Sequence, residues 1–265
     1  MTSGLDPEKN LTFIEDQISK ATQEGINYFF LPECFYSLSN GKEPTPHLVE
    51  IGNTHFNNIS NLAKKYQVHL IGGSVAYASP KGVLNRSLNI SPTGELLHYY
   101  DKKNLFRCDV IQNEKRVQVD EGKIFTSGSE INSFELAGFN FGQSICFDLR
   151  FGSHFLELRK RKVDVITAPS AFTVKTGELH WHLLNRARAV ENQCFMISAA
   201  QVGQNHPNVR TYGHSLVVNP WGEVLLDLGN DFTGWKKFEL EYKDIEEMRS
   251  SIIMDTLYEK ENSRH

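Results

Sequence analysis

The chain alternates between two apolar rhythms. Leu11, Ile14, Ile18 and Ala21 repeat at three- and four-residue spacing, the stripe of an amphipathic helix. Asp6-Pro7 supplies an N-cap and a first-turn proline, and Gly25 ends the helix. Residues 26–33, INYFFLPE, follow as a buried strand that stops at Pro32. The spacing predicts a second helix over 47–66 and a strand over 68–77. VLNRSLNIS and ELLHYYDK, joined by Pro92-Thr93-Gly94, read as a hairpin, and so do INSFELAG and FNFGQSIC, joined at Gly138. A helix from Ser153 ends in the basic run 159–162, which suits a helix C-terminus better than a localisation signal. DVITAPSA reads as a strand, residues 178–192 as a long helix, and CFMISAAQVG, HSLVVNP and EVLLDLG as three more strands. KFELEY then leads to a polar helix from Lys243.

About ten strands and four or five helices result. Segments such as DVITA and FFLP are apolar on both faces, so both sides of their sheets must be covered. The hairpins argue against a purely parallel doubly wound sheet. The predicted fold is α+β, a sandwich of two mixed sheets with helices outside, in a single domain over residues 1–265.

Composition removes several function classes. Hydrophobic residues are 40% and charged residues 23%, which excludes a disordered or collagen-like chain. A net charge of -4 gives no reason to expect nucleic acid or an anionic membrane as partner. No apolar run approaches the ~18 residues of a membrane span. The opening MTSGLDPEKN has no basic n-region and no apolar core, so it does not read as a secretory signal. Cys34, Cys108, Cys146 and Cys194 are scattered without a CxxC pair, as expected of reduced thiols in a cytoplasmic protein.

Three strands share a design: each ends in a reactive side chain, as in FFLPE33, HYYDK102 and GQSIC146. Strand ends deliver side chains to one edge of a sheet, where loops converge. A carboxylate, an ammonium and a thiol gathered there make a coherent set. The ammonium lowers the thiol pKa and faces an oxyanion, and the carboxylate takes the proton. Each residue alone also has a structural reading: a small buried Cys, a solvated Glu after Pro, a surface Lys in Asp-Lys-Lys.

Rival constellations are weaker. His180 and His182 are two apart and fall on different helix faces, unsuited to chelate one metal between them. Gly72-Gly73 lacks the GxGxxG spacing and reads as close packing in a strand. No GxSxG occurs, and His154, near Cys146 in sequence, sits beside a helix start rather than in protease-like wording.

The segments LPECF, YDKKNLF and GQSICFDLRF, in that order, resemble the three signature blocks of the nitrilase superfamily of carbon–nitrogen hydrolases. The resemblance runs from NLTFIEDQISKATQEG to YGHSLVVNPWGEVLLDLG, nearly the whole chain. It implies a four-layer αββα sandwich that forms a homodimer through helices, with no metal and no organic cofactor. It implies Glu33 as general base, Lys102 as oxyanion stabiliser and Cys146 as nucleophile, with the Phe147 backbone N–H completing the oxyanion hole. Glu121, seven residues before Gly128, matches the supporting glutamate of the family, with Glu114 as its rival.

Two departures stand out. Asn104 replaces a His common in the lysine block, with activity expected to be retained. Members usually begin with a strand of the type KVAVVQM, whereas this chain opens at the residues that follow it. The first β-strand is therefore expected to be lacking, through a start site placed too late or a natural deletion; a mitochondrial form stays open with a truncated N-terminus. The segments PSAFTVKTGELHWHLLNRARAVENQ and TYGHSLVVNPWGE look like the Nit-type, deaminated glutathione amidase branch, whose relative ω-amidase acts on α-ketoglutaramate and α-ketosuccinamate. Such small anionic amides need a cation. Arg150 is the candidate, or else it pairs with Asp148 or Glu191. Phe172 and Thr173 are expected to line the pocket. The alternative to an amidase is a catalytically inactive dimeric binding protein of the same fold.

Overall fold

The computed structural model describes residues 1–112, 115–207 and 209–254. The first helix, α1 (Pro7–Thr22), begins as its sequence dictates. The Asp6 carboxylate accepts the Glu8 and Lys9 amides at 3.0 and 3.4 Å, and Pro7 occupies the first turn. After it come β1 (Tyr28–Phe30), α2 (Thr54–Tyr66), β2 (His69–Ile71), β3 (Ser74–Ser79), β4 (Gly82–Ile90) and β5 (Leu96–Asp101). These strands form one sheet: β1 pairs in parallel with β2, and β4 lies antiparallel to β2, β3 and β5.

The hairpin β6 (Arg107–Gln112) and β7 (Lys115–Asp120) stands apart from both main sheets. The second main sheet uses β8 (Ser133–Leu136), β9 (Phe139–Gln143) and β10 (Val165–Thr167). Between β9 and β10 comes α3 (Gly152–Lys160), and after β10 comes α4 (Val174–Asn192). Then follow β11 (Phe195–Ser198), β12 (Val202–His206), β13 (Val209–Tyr212), β14 (Leu216–Val218), β15 (Val224–Asp227) and α5 (Tyr242–Ser251). The second sheet runs β15-β14-β11-β10-β9-β8, parallel at its centre, and β12 and β13 form a separate hairpin.

Strand alternation sorts the core into three layers. Ile14, Ile18 and Ile59 of α1 and α2 bury one face of the first sheet, against Leu70, Leu84 and Leu88. Phe155 and Leu158 of α3 and Trp181 of α4 bury the outer face of the second sheet, against Ile166, Met196 and Leu216. The residues between these, Val165, Phe195 and Ile197, turn inward and meet Phe30 of the first sheet. The result is the predicted α+β sandwich of two sheets between helical layers. Polar bonds also cross the seam: Gln143 Nε2 donates to Ser87 Oγ at 3.1 Å, and the Tyr100 hydroxyl donates to Asp148 at 2.8 Å.

The structure corrects several boundaries. The second helix starts at Thr54, not near residue 47, because the Asn53 side chain caps it by accepting from Phe56 N–H at 2.9 Å. The fourth helix starts at Val174, four residues before the expected 178. The predicted strand over 68–77 is broken at Gly72-Gly73. A Cβ on Gly73 would sit 2.5 Å from Leu31 Cβ and 2.7 Å from Phe35, so the close-packing reading of these glycines holds. Cys108 lies on β6, opposite Val119.

The outer edge of β1 has no strand partner among the described residues. Beside it an apolar groove opens between α1 and the second sheet, lined by Ile18, Phe29, Ile197, Leu226 and Trp235. Residues 237–241, KFELE, pass this region without forming a strand.

The Gly73 contact gives a direct test. Gly73→Ala drives a methyl group into Leu31 and Phe35 and is expected to lower stability by about 1–3 kcal/mol, read as a shift in the urea midpoint. An unchanged midpoint would show that the strand break relaxes freely.

Candidate active site

The three strand ends singled out in the sequence meet at one place. Glu33 follows β1, Lys102 follows β5, and Cys146 follows β9, so the first sheet delivers the charges and the second the thiol. Lys102 is the centre. Its ammonium is fully buried, 2.9 Å from Glu33 Oε1 and 2.8 Å from Glu121 Oε2. Burial pulls its pKa down, but the two carboxylates, Glu121 first, carry it well above the ordinary 10.5.

Local structure explains why a lysine can be held there. The Lys102 N–H bonds the Asn85 carbonyl, and its own carbonyl accepts from Gly128 N–H at 2.9 Å. Gly128 is required for that approach, because a Cβ would lie 2.2 Å from the Asp101 carbonyl oxygen. The spacing that selected Glu121 thus has a physical basis: the segment between Glu121 and Gly128 closes around Lys102. The Glu121 carboxylate also accepts Phe106 N–H at 2.7 Å. Its rival Glu114 lies outside the described residues.

Cys146 opens a 3₁₀ turn, Cys146–Arg150, with φ +48°, a left-handed conformation uncommon for a residue with a side chain. The turn is pinned by Cys146 N–H donating to the Pro169 carbonyl at 3.0 Å. Phe147 N–H lies in the first turn, where amides have no partner within the helix. Burial pushes the thiol pKa up, and Glu33 adds to this. Lys102 and the Ala171 backbone amide only partly offset it. The expected lowering by the lysine is present, and burial together with the two carboxylates outweighs it.

Sequence reading missed the residues that hold this set together. Asn85, inside β4, donates to Glu33 Oε1 at 2.9 Å. Gln201 donates to the Glu33 carbonyl at 2.9 Å from the other side of the molecule. Asp148 is fully buried and accepts four bonds: from Tyr100 at 2.8 Å, Ile145 N–H at 2.9 Å, and both Asn104 amides at 2.9 and 2.8 Å. It fastens the lysine loop to the cysteine turn. Asn104, the departure from the family pattern, is one of its donors. Nothing in the local pattern flags these residues, since each acts through contacts distant in sequence.

Asp148 is thereby occupied, and Glu191 pairs with Arg188 at 2.6 Å, so neither takes Arg150. Arg150 forms no ion pair among the described residues. Its guanidinium lies over the rings of Phe147 and Phe172, at 5.7 and 5.4 Å, and is 3.2 Å from His180 Nδ1. Burial lowers its pKa, opposed by the field of Cys146. Phe172 is buried and rests on Trp181. Thr173 is exposed, its hydroxyl bonded to that of Thr176 at 3.0 Å, at the start of α4.

The four cysteines are free. Burial pushes the Cys34 and Cys194 thiols far up. No helix among the described residues is long and apolar enough to cross a membrane.

Residues 1–250 match the model of the carbon–nitrogen hydrolase family. A deaminated glutathione amidase of Dictyostelium discoideum is 33% identical over 95% of this chain and 89% of its own length. The human omega-amidase NIT2 is 31% identical over 92% of this chain and 87% of its own. Among solved structures, Saccharomyces cerevisiae Nit3, described as a member of branch 10 of the nitrilase superfamily, superposes with a TM-score of 0.78 at 27% identity. It covers 96% of this chain and 92% of that one.

Because the buried ammonium neutralises two carboxylates, Lys102→Met is expected to cost about 3–5 kcal/mol at pH 7. The deficit should shrink at acid pH, where protonating one carboxylate relieves the repulsion. In the unaltered protein the lysine's raised pKa makes its contribution complete below 10.5, and lost only as pH rises through the higher folded value. Urea unfolding at neutral and acid pH measures this; a deficit equal at both would contradict the electrostatic account.

Proposed function

The chain belongs to the carbon–nitrogen hydrolase family, and from that membership we propose that it is an amidase acting on a small amide that carries a carboxylate. Deaminated glutathione is the leading substrate, and α-ketoglutaramate and α-ketosuccinamate are the alternatives. One juxtaposition carries the proposal: Glu33, Lys102 and Cys146 meet beside an arginine that has no acidic partner among the described residues. A catalytically inactive binding protein would have no need to gather a thiol, an ammonium and a carboxylate at one place.

In the proposed reaction Glu33 accepts the Cys146 proton as the sulfur attacks the amide carbon. The raised thiol pKa favours transfer coupled to attack over a standing thiolate. The Lys102 ammonium and the Phe147 N–H receive the oxyanion. Protonated Glu33 then gives its proton to the leaving nitrogen, the C–N bond breaks, and the amine departs, a dipeptide from deaminated glutathione and ammonia from the primary ω-amides. A thioester remains on Cys146. Water, deprotonated by Glu33, adds to that carbon, and collapse returns the thiol and releases the carboxylic acid. Glu121 positions Lys102 throughout. Arg150 binds the distant carboxylate of the substrate, His180 and the two phenylalanine rings hold its guanidinium in place, and Thr173 stands at the rim.

The same family reading includes a homodimer in the cytoplasm. The dimer has its support in the outer side of α4, where Leu179 and Leu183 are 64% and 65% exposed. An apolar surface of this kind on a helix marks an interaction face.

Two measurements test these readings. Release of the dipeptide amine cysteinylglycine from deaminated glutathione, and of ammonia from α-ketoglutaramate, should vanish in Cys146→Ala. Arg150→Met should lower kcat/KM for the carboxylated amides roughly 10–100-fold, the worth of one charged hydrogen-bonded contact, while sparing an uncharged amide. Equal losses on charged and neutral amides would remove Arg150 from substrate binding. For the assembly, light scattering should find a dimer that Leu183→Glu converts to monomers; a monomeric unaltered protein would refute the dimer and leave the amidase reading untouched.

A further inference from the structure

Away from the candidate active site, three side chains from distant parts of the chain converge near the surface. His182 projects from α4, His214 precedes β14, and Asp227 ends β15. His182 Nε2 is 2.9 Å from Asp227 Oδ2, and His214 Nδ1 is 2.8 and 3.0 Å from the two carboxylate oxygens. One donor atom from each residue lies within 4.8 Å of the others. The pair His180 and His182 does not chelate, as its spacing requires; His180 turns to Arg150, and His182 finds its partner on another element.

The cluster is held rigidly. His214 sits at φ +56°, fixed by its N–H donating to the Gly229 carbonyl at 2.7 Å and its carbonyl accepting from Trp181 Nε1 at 2.7 Å. Tyr212 stacks on its ring at 4.3 Å, and the His182 ring meets it edge-on at 5.0 Å. Gly229 N–H donates to Asp227 Oδ1 at 2.9 Å and orients the carboxylate. The side chains of His182, His214 and Asp227 remain 34%, 18% and 31% exposed, so a cation and a water can reach them.

We propose that His182, His214 and Asp227 form a binding site for a borderline divalent cation, with zinc as its best occupant. Two imidazole nitrogens and one carboxylate, with water in the fourth position, are a recognised zinc donor set. Tetrahedral bonds of ~2.0–2.2 Å put ligand atoms roughly 3.3–3.6 Å apart, so the histidine–carboxylate spacings of 2.8 and 2.9 Å need to open by roughly 0.4–0.8 Å. The proton on each ligating nitrogen moves to the other nitrogen of its ring. The carboxylate, now a hydrogen-bond acceptor for both histidines, becomes a ligand. Gly229 N–H keeps its orienting role. All three ligands come from one protomer.

The experiment uses the full chain carrying Cys146→Ala, which removes the active-site thiol as a competing ligand. After treatment with a chelator, Co²⁺ is titrated and followed by its visible absorption, then displaced with Zn²⁺. One cobalt per chain with a low-symmetry visible band is expected. His182→Ala and Asp227→Ala, both near the surface and checked for folding by circular dichroism, should each weaken uptake by at least about tenfold. Absence of uptake by the folded protein would overturn the proposal and leave a hydrogen-bonded His-Asp-His cluster. So would uptake undiminished in both variants, which would place the metal elsewhere.

Discussion

A lysine ammonium buried between two carboxylates is the constraint on which this structure turns. Removing an ion from water costs several kcal/mol even after the protein relaxes, and only close opposite charge offsets it. Lys102 meets that condition through Glu33 and Glu121, which arrive from different segments. Neither segment can move without exposing an unpaired charge. The arrangement also sets the state of the nucleophile. Two carboxylates against one ammonium leave a negative field, and that field adds to burial in keeping Cys146 protonated. In the proposed reaction that proton passes to Glu33 as the sulfur meets the substrate carbon.

The site is a property of the sandwich rather than of either sheet. One sheet carries Glu33 and Lys102, the other Cys146, and the seam between them is closed by apolar side chains and by Asp148. Asp148 bonds the cysteine turn, the lysine loop and Tyr100 together through two oxygen atoms. A buried carboxylate with four donors is stable only if all four reach it, so slippage of one sheet over the other would be opposed at once by lost hydrogen bonds. Packing and alignment of the reacting groups are the same event.

Much of this was legible in the sequence because it follows from local rules. Strand ends placed Glu33, Lys102 and Cys146 at an edge, and the apolar runs in DVITA and FFLP, hydrophobic on both faces, announced sheets covered on both sides. The helix start at Asp6-Pro7 follows from capping chemistry alone. What escaped depended on partners far away in the chain. Asn85 reads as an ordinary strand residue until Glu33 is set beside it, and Arg150 left three partners open because its neighbours' commitments are tertiary facts. The hairpins β6–β7 and β12–β13 went unread because segments such as RCDVIQ and VGQNH lack the apolar alternation of half-buried strands. The start of α4 was set late because Val174, Thr176 and Gly177 are weak helix formers; Gly177 is needed where Tyr212 packs, since a Cβ there would come within 2.2 Å of its ring.

The left-handed backbone at Cys146 has a consequence for which nucleophiles this scaffold admits. At φ +48° a branched Cβ collides with its own backbone, so threonine is excluded from the position on steric grounds alone. Serine would fit the shape. Its hydroxyl, however, is far less acidic than a thiol, and the same buried, negatively biased surroundings that raise the cysteine would raise it further. A single backbone torsion and a local field thus leave sulfur as the element that this turn can put to use.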